Sequence, residues 1–311
     1  MILAVTMNPS VDISYPIHEF KLDAVNRVET VRKTAGGKGL NVARVAAQME
    51  EAVLATGVLG GTIGEYIVQE LTKSNIPNDF LRINKESRNC IAILHEGMQT
   101  EILESGPTLT KEEGADFLGK FEELLSKVSF VTVSGSLPKG LPTSFYQQML
   151  EISQKKGIPM IVDSSGEPLR LAMLHKVKPF AIKPNTAELS QLLGFEVDGK
   201  ISSLKQALDN ELFKGIEWVV VSMGSEGAFV RHGEDDYRIT IPKIDVVNPV
   251  GSGDATVAGL SVALNRNQTT EVVLKTAMTT GMLNTMEAGT GYINMAKFNQ
   301  YFDLVKVEKI D

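Results

Sequence analysis

Between Lys111 and Arg231 short apolar runs alternate with stretches of helical periodicity, and little chain is left over. A helix over 111–127 leads into a strand at Phe130–Val133, and a helix over 143–156 into one at Pro159–Val162. Phe180–Ile182 and Trp218–Val221 repeat the pattern, each joined to its neighbours by further helical segments, and Ala228–Arg231 closes it. Parallel strands need a crossover long enough to hold a helix, so this alternation predicts βαβ units and a largely parallel, doubly wound sheet. In such a sheet ligands lie beyond the carboxyl ends of the strands. The polar clusters of the chain fall there: Asp12 after the buried run Ile2–Met7, Ser134-Gly-Ser136, Asp163-Ser-Ser165, Lys183–Glu188 and Ser222–Gly227.

The first third is less regular. Val28–Lys33 and Val53–Leu59 read as strands, Thr62–Ser74 as a helix and Phe80–Ile83 as a short strand. Cys90–His95 and Thr100–Leu103 flank a turn at Gly97 and read as a hairpin. With the early alternating residues, this hairpin is expected to build a small antiparallel layer outside the main sheet.

Two glycine clusters carry the chemistry. Asn248-Pro-Val-Gly-Ser-Gly-Asp254 follows a β-rich run over Tyr237–Val247 and opens a small-residue helix to Asn265. Its turn leaves backbone N–H groups unpaired at the positive end of a helix dipole, an anion site. A carboxylate in the first turn, Asp254, is a poor neighbour for a bound phosphate unless it takes a proton from a hydroxyl that attacks it. The rival account is an ordinary strand–turn–helix junction in which Asp254 complements the dipole. The second cluster, Ala35-Gly-Gly-Lys-Gly-Leu-Asn41, lacks P-loop spacing, because no glycine sits five residues before Gly37. It places Lys38 and Asn41 on the first turns of a helix where a ligand can approach the backbone. Asn185 and Glu188, at i and i+3 of another helix start, fit a capping box and equally a water-mediated Mg2+ contact.

The 311 residues, 43% of them hydrophobic, suffice for one large domain. A net charge of −7 without a basic tract, and 6% aromatics, argue against nucleic acid. The four histidines are scattered and the single cysteine, Cys90, forms no internal disulfide. The absence of a long apolar stretch points away from a membrane and towards the cytoplasm.

Ala35–Ala43 and Asn248–Ala255 resemble the two signatures of the ribokinase-like (PfkB) carbohydrate kinases. Asn8-Pro-Ser-Val-Asp12, Ser134-Gly-Ser-Leu-Pro138, Lys183-Pro-Asn-Thr-Ala-Glu188 and Ser222-Met-Gly-Ser-Glu-Gly227 match in family order, so the resemblance spans the chain. The double glycine and the run Arg88-Asn-Cys-Ile-Ala-Ile93 look closest to tagatose-6-phosphate kinases, with 1-phosphofructokinases next. The resemblance implies a single three-layer α/β/α domain over 1–311 with a β-sheet lid from about 11–34 and 88–105, which in relatives often makes a homodimer. It implies ATP and Mg2+ as cofactors and a phosphorylated ketohexose as substrate. Asp254 would be the general base, and Gly251, Ser252 and Gly253 the anion hole, with Ser252 standing where many relatives have alanine. Asp12, Gly37 and Asn41 would hold sugar hydroxyls, and Lys38, Arg88, Arg27 and Ser136 the substrate's phosphate. Lys183, Asn185, Ser222, Gly224, Gly227 and Asn284 would line the nucleotide site, with Glu188 organising Mg2+.

Overall fold

Ile2–Thr6 is buried at all five positions, as befits the centre of a sheet covered on both faces. The computed structural model describes residues 1–310. This first strand is β1; then come β2 (Ser10–Pro16), β3 (Arg32–Gly36), α1 (Lys38–Gln48), β4 (Val53–Gly60), α2 (Gly61–Lys73) and β5 (Leu81–Ile83). The hairpin is β6 (Arg88–His95) and β7 (Met98–Leu103). The regular part comprises α3 (Lys111–Leu125), β8 (Phe130–Ser134), α4 (Phe145–Lys155), β9 (Met160–Asp163), α5 (Gly166–Leu174), β10 (Ala181–Ile182), α6 (Thr186–Leu193), α7 (Ile201–Leu208) and β11 (Trp218–Ser222). It ends with β12 (Ala228–His232), β13 (Asp235–Thr240), α8 (Ser252–Asn265), α9 (Thr270–Thr285), α10 (Phe298–Leu304) and β14 (Lys306–Ile310).

Ten strands form the main sheet in the order β14-β13-β12-β11-β10-β9-β8-β1-β4-β5. From β11 to β5 all neighbours are parallel, while β12, β13 and β14 add an antiparallel edge. Alternate residues of β1 serve two cores. Ile2 and Ala4 pack with α1, α2, α8 and α9 on one face, and Leu3 and Val5 with α3 to α7 on the other. The result is the expected α/β/α sandwich. Among the described residues no helix is long and apolar enough to cross a membrane.

A second sheet, β3-β2-β6-β7, stands apart from the first. Its inner pair, β2 and β6, is parallel, and β3 and β7 flank it antiparallel. Some expected boundaries change. The strand expected over Val28–Lys33 lies at Arg32–Gly36, because pairing of Gly36 with Ser10 sets its register. The strand expected to run from Tyr237 to Val247 stops at Thr240, just before Pro242, whose ring nitrogen has no hydrogen for a ladder. The residues freed there line the cleft described next. The terminal strand β14 was not expected at all; its short run is recruited by β13.

Candidate active site

A cleft of about 1870 Å3 separates the carboxyl ends of the parallel strands from the second sheet. Pockets for one small ligand hold about 300–1,000 Å3, so there is room for two substrates together. At its floor two helix starts face each other. Asn41, in α1, donates through Nδ2 to Asp254 Oδ2, in the first turn of α8, at 2.8 Å. Both residues are buried.

The turn before α8 is held from several sides. Asn248 Oδ1 accepts from Val250 N at 3.0 Å, and Gly251 adopts φ +82°, a conformation that a side chain would strain. A Cβ at Gly251 would also run into the Thr290 side chain. Lys183, from the end of β10, brings its ammonium against Gly253, so that a Cβ there would lie 3.1 Å from Nζ. Helix start, glycine turn and lysine together make a cationic pocket beside Asp254.

Burial, and next to it the charge of Asp163, pushes the Asp254 carboxyl up to about 7, against the pull of Lys38, the Asn41 hydrogen bond and Lys183. A carboxyl so placed can release and take a proton near neutral pH. Asp163, at the end of β9, is 4% exposed. It lies between two lysines, with Lys183 Nζ 3.6 Å from Oδ1 and Lys38 Nζ 3.8 Å from Oδ2. Its Oδ2 takes part in no hydrogen bond among the described residues. Asp163 holds the half-exposed Lys38 charged, raising its ammonium above the ordinary lysine range against partial desolvation in the cleft.

Across the cleft the second sheet supplies Asp12 and Arg88. Asp12 accepts from Ser10 Oγ at 2.7 Å and packs where a methyl on Gly36 would overlap its carboxylate. Burial raises its carboxyl, with Ser10, Arg44 and Arg88 acting in the opposite direction. Arg88 is set by main-chain carbonyls, Nε donating to Asn8 O at 3.1 Å and Nη1 to Glu104 O at 3.0 Å. Gly37, Lys38 and Asn41 join them in the wall, as do Asn185, Glu188, Ser222, Gly224, Gly227 and the Gly251–Gly253 turn. Apolar residues, among them Ile244, Val246, Met278 and Met282, line the same cleft.

Three expected site residues stand elsewhere. Arg27 is exposed in the segment between β2 and β3, and Ser136 is exposed on the loop after β8; neither lines the cleft. Asn284 is fully buried behind it, where its amide donates to Val250 O at 3.0 Å and accepts from Gly291 N at 2.7 Å. It braces the glycine turn from the rear, because the helical position puts its side chain under that turn and not in the cavity. Conversely Arg32, on β3, lines the cleft and was not singled out from the sequence. Asp163 was seen only as a strand end, and Arg44 not at all.

The capping box at α6 is formed: Asn185 Oδ1 accepts from Glu188 N at 2.8 Å, and Glu188 Oε2 from Asn185 N at 2.9 Å. Glu188 also lines the cleft, with Oε1 outside the box. No group of three His, Cys, Asp or Glu suited to a metal occurs among the described residues. One carboxylate of this kind suits a Mg2+ carried by nucleotide phosphates, which keeps most of its waters, and does not suit a protein-held ion.

The sequence matches the family model of pfkB family carbohydrate kinases over residues 5–297. The fold is similar to that of a candidate phosphofructokinase from Staphylococcus aureus, 29% identical, covering 100% of this chain and 99% of that one, with a TM-score of 0.85. Phosphofructokinase-2 from Escherichia coli, solved with potassium, is 27% identical over 97% and 98% with a TM-score of 0.88, and has also been solved in a tetrameric inhibited form. A candidate 1-phosphofructokinase from Thermotoga maritima is 26% identical over the full length of both chains, with a TM-score of 0.87.

Proposed function

Because the chain belongs to the pfkB family of carbohydrate kinases, we propose that this ATP-dependent sugar kinase phosphorylates C1 of D-tagatose 6-phosphate, giving the 1,6-bisphosphate. One observation carries the reaction type. Asp254 stands on the first turn of α8 beside the Gly251–Gly253 turn, with Lys183 on that turn and a sugar-sized space towards Asp12. Asp254 takes the proton of the acceptor hydroxyl as its oxygen attacks the terminal phosphorus of ATP, and ADP leaves. The turn's N–H groups and Lys183 stabilise charge on the transferring group. Lys183, Asn185, Ser222, Gly224 and Gly227 line the nucleotide half. Glu188 would reach a Mg2+ carried by the nucleotide, and that ion would offset phosphate charge.

A phosphate already on the acceptor is supported by Arg88 and Lys38 in the sugar half of the cleft, with Arg32 on the same wall. Asp12, Gly37 and Asn41 meet the sugar hydroxyls. The likeness to phosphofructokinases favours a second reading, a fructose phosphate as acceptor. The second sheet closes over the sugar as a lid, and pairs with a second copy through β7. That edge strand is exposed along its length, with Met98, Ile102 and Leu103 exposed on it and Leu22 nearby in sequence to β2 likewise. An unpaired apolar edge is a template for another chain. A cytoplasmic location fits this reading, since ATP and sugar phosphates are found there.

A coupled ADP-release assay with ATP and Mg2+ compares kcat/KM for tagatose 6-phosphate, fructose 6-phosphate and fructose 1-phosphate. Preference for tagatose 6-phosphate by about tenfold or more, the least expected from one net hydrogen bond, supports the first reading. Preference for either fructose phosphate replaces it with the second.

A further inference from the structure

Arg44, one turn along α1 from Asn41, is 5% exposed and does not line the cleft. Its guanidinium donates to three neutral oxygens. Nη1 reaches Asn41 Oδ1 at 3.0 Å and Thr290 O at 3.1 Å, and Nη2 reaches Ala35 O. Its carbon lies 5.2 Å from the centre of the Tyr292 ring. The space is fitted to it: a Cβ on Gly291 would come within 2.7 Å of Nη1 and 3.0 Å of Asn41 Oδ1. No carboxylate forms a salt bridge with it among the described residues. Burial holds its pKa below the usual arginine range, against the pull of the Tyr292 phenol and, from beyond ion-pair distance, of Asp12 and Glu70.

Joining Ala35 to Thr290 could be done by any donor. Orienting Asn41 could not. A carboxamide presents an acceptor on one side and donors on the other, and a half-turn exchanges them. Arginine has donors only, so Oδ1 must face it and Nδ2 must face Asp254. With the amide reversed, Oδ1 would oppose the Asp254 carboxylate and disfavour the ionised form that a base needs.

We propose that Arg44 is a positioning residue which, without touching substrate, fixes the Asn41 amide so that Asp254 receives its hydrogen bond. The proposal rests on Asp254 being the base. The same guanidinium also ties the sugar-side strand β3, at Ala35, to the loop at Thr290–Gly291, which Asn284 links to the glycine turn. Both halves of the cleft are thereby held to one side chain.

The test is the acid limb of kcat/KM for the preferred sugar phosphate, measured for the wild type, Arg44→Met, Arg44→Lys, Asn41→Ala and the double variants. Loss of the hydrogen bond moves the limb to higher pH by about 0.5–1 unit, a threefold to tenfold change in the ionised fraction below it. Arg44→Met and Asn41→Ala give equal shifts, and the double variant shifts no further. Arg44→Lys, whose ammonium cannot span all three oxygens, lies between and carries the test where Arg44→Met does not fold. A limb that stays in place while Tm and kcat fall at every pH overturns the proposal, as do shifts that add in the double variant. Full turnover by Asp254→Asn removes the base reading itself, an outcome distinct from failure of the relay alone.

Discussion

Asn41 and Asp254, 213 residues apart, meet through a hydrogen bond of 2.8 Å that joins the starts of two helices. It links the two glycine clusters directly, and it favours the charged state of a carboxyl that burial otherwise opposes. The consequences below follow from that opposition.

With the Asp254 carboxyl pushed up to about 7, kcat/KM is expected to rise through a single limb near neutral pH and level off above it. The sign follows from the role: a base acts deprotonated, and kcat/KM reports the free enzyme. Rates measured from pH 5.5 to 9 in constant ionic strength check this. A flat profile down to pH 5.5 would contradict it.

The same shift has a stability signature. The ordinary value of an aspartate carboxyl is 3.8 and that of Asp254 in the fold is about 7, so the folded state binds its proton more tightly. Stability from this group is present below pH 3.8 and is lost as pH rises through 7. Asp254→Asn should therefore raise Tm relative to wild type at pH 8 and change it little at pH 4. The gain is bounded by about 4 kcal/mol. Thermal melts at the two pH values decide; equal effects at both would count against a raised carboxyl.

Asp163→Asn removes the charge shared by Lys38 and Lys183. Lys183 is then buried without its partner, and a loss of about 3 kcal/mol in stability is expected, the lower end for a broken buried pair given the long separations. Because Asp163 raises the Asp254 carboxyl, the acid limb of kcat/KM should move to lower pH, opposite to the Arg44 and Asn41 variants. A limb moving upward would show that Asp163 acts otherwise.

Arg88→Ala should raise KM for the sugar phosphate by about 10–100-fold, the worth of a charge-assisted hydrogen bond, with KM for ATP unchanged. Arg27→Ala should change neither, since Arg27 lies away from the cleft in an exposed segment. Steady-state kinetics with each substrate varied separate the two, and an effect of Arg27→Ala larger than that of Arg88→Ala would reverse the assignment.

Local chemistry made much of this legible in the sequence. A glycine turn opening a helix with Asp254 in its first turn has few structural solutions, and continuous apolar runs such as Ile2–Thr6 announce strands covered on both faces. What escaped depends on crossings that no spacing records. Asp163 sits at a strand end like many others; its role appears only when β9 is laid between β8 and β10 and the two lysines converge on it. Arg44 reads as one polar break in an apolar stripe until the Thr290 loop folds over it. Arg27 and Arg32 are both cations of one polar segment, and only the pairing of β3 with β2 decides which faces the cleft. Asn284 was expected at the nucleotide only through the family resemblance, which does not say what covers that face of its helix.

The direct test of the account is turnover by Asp254→Asn with ATP and saturating sugar phosphate, alongside its affinity for nucleotide. If Asp254 is the base, kcat falls by about 10²–10⁴-fold while nucleotide binding is kept. Turnover within a few fold of wild type would contradict it.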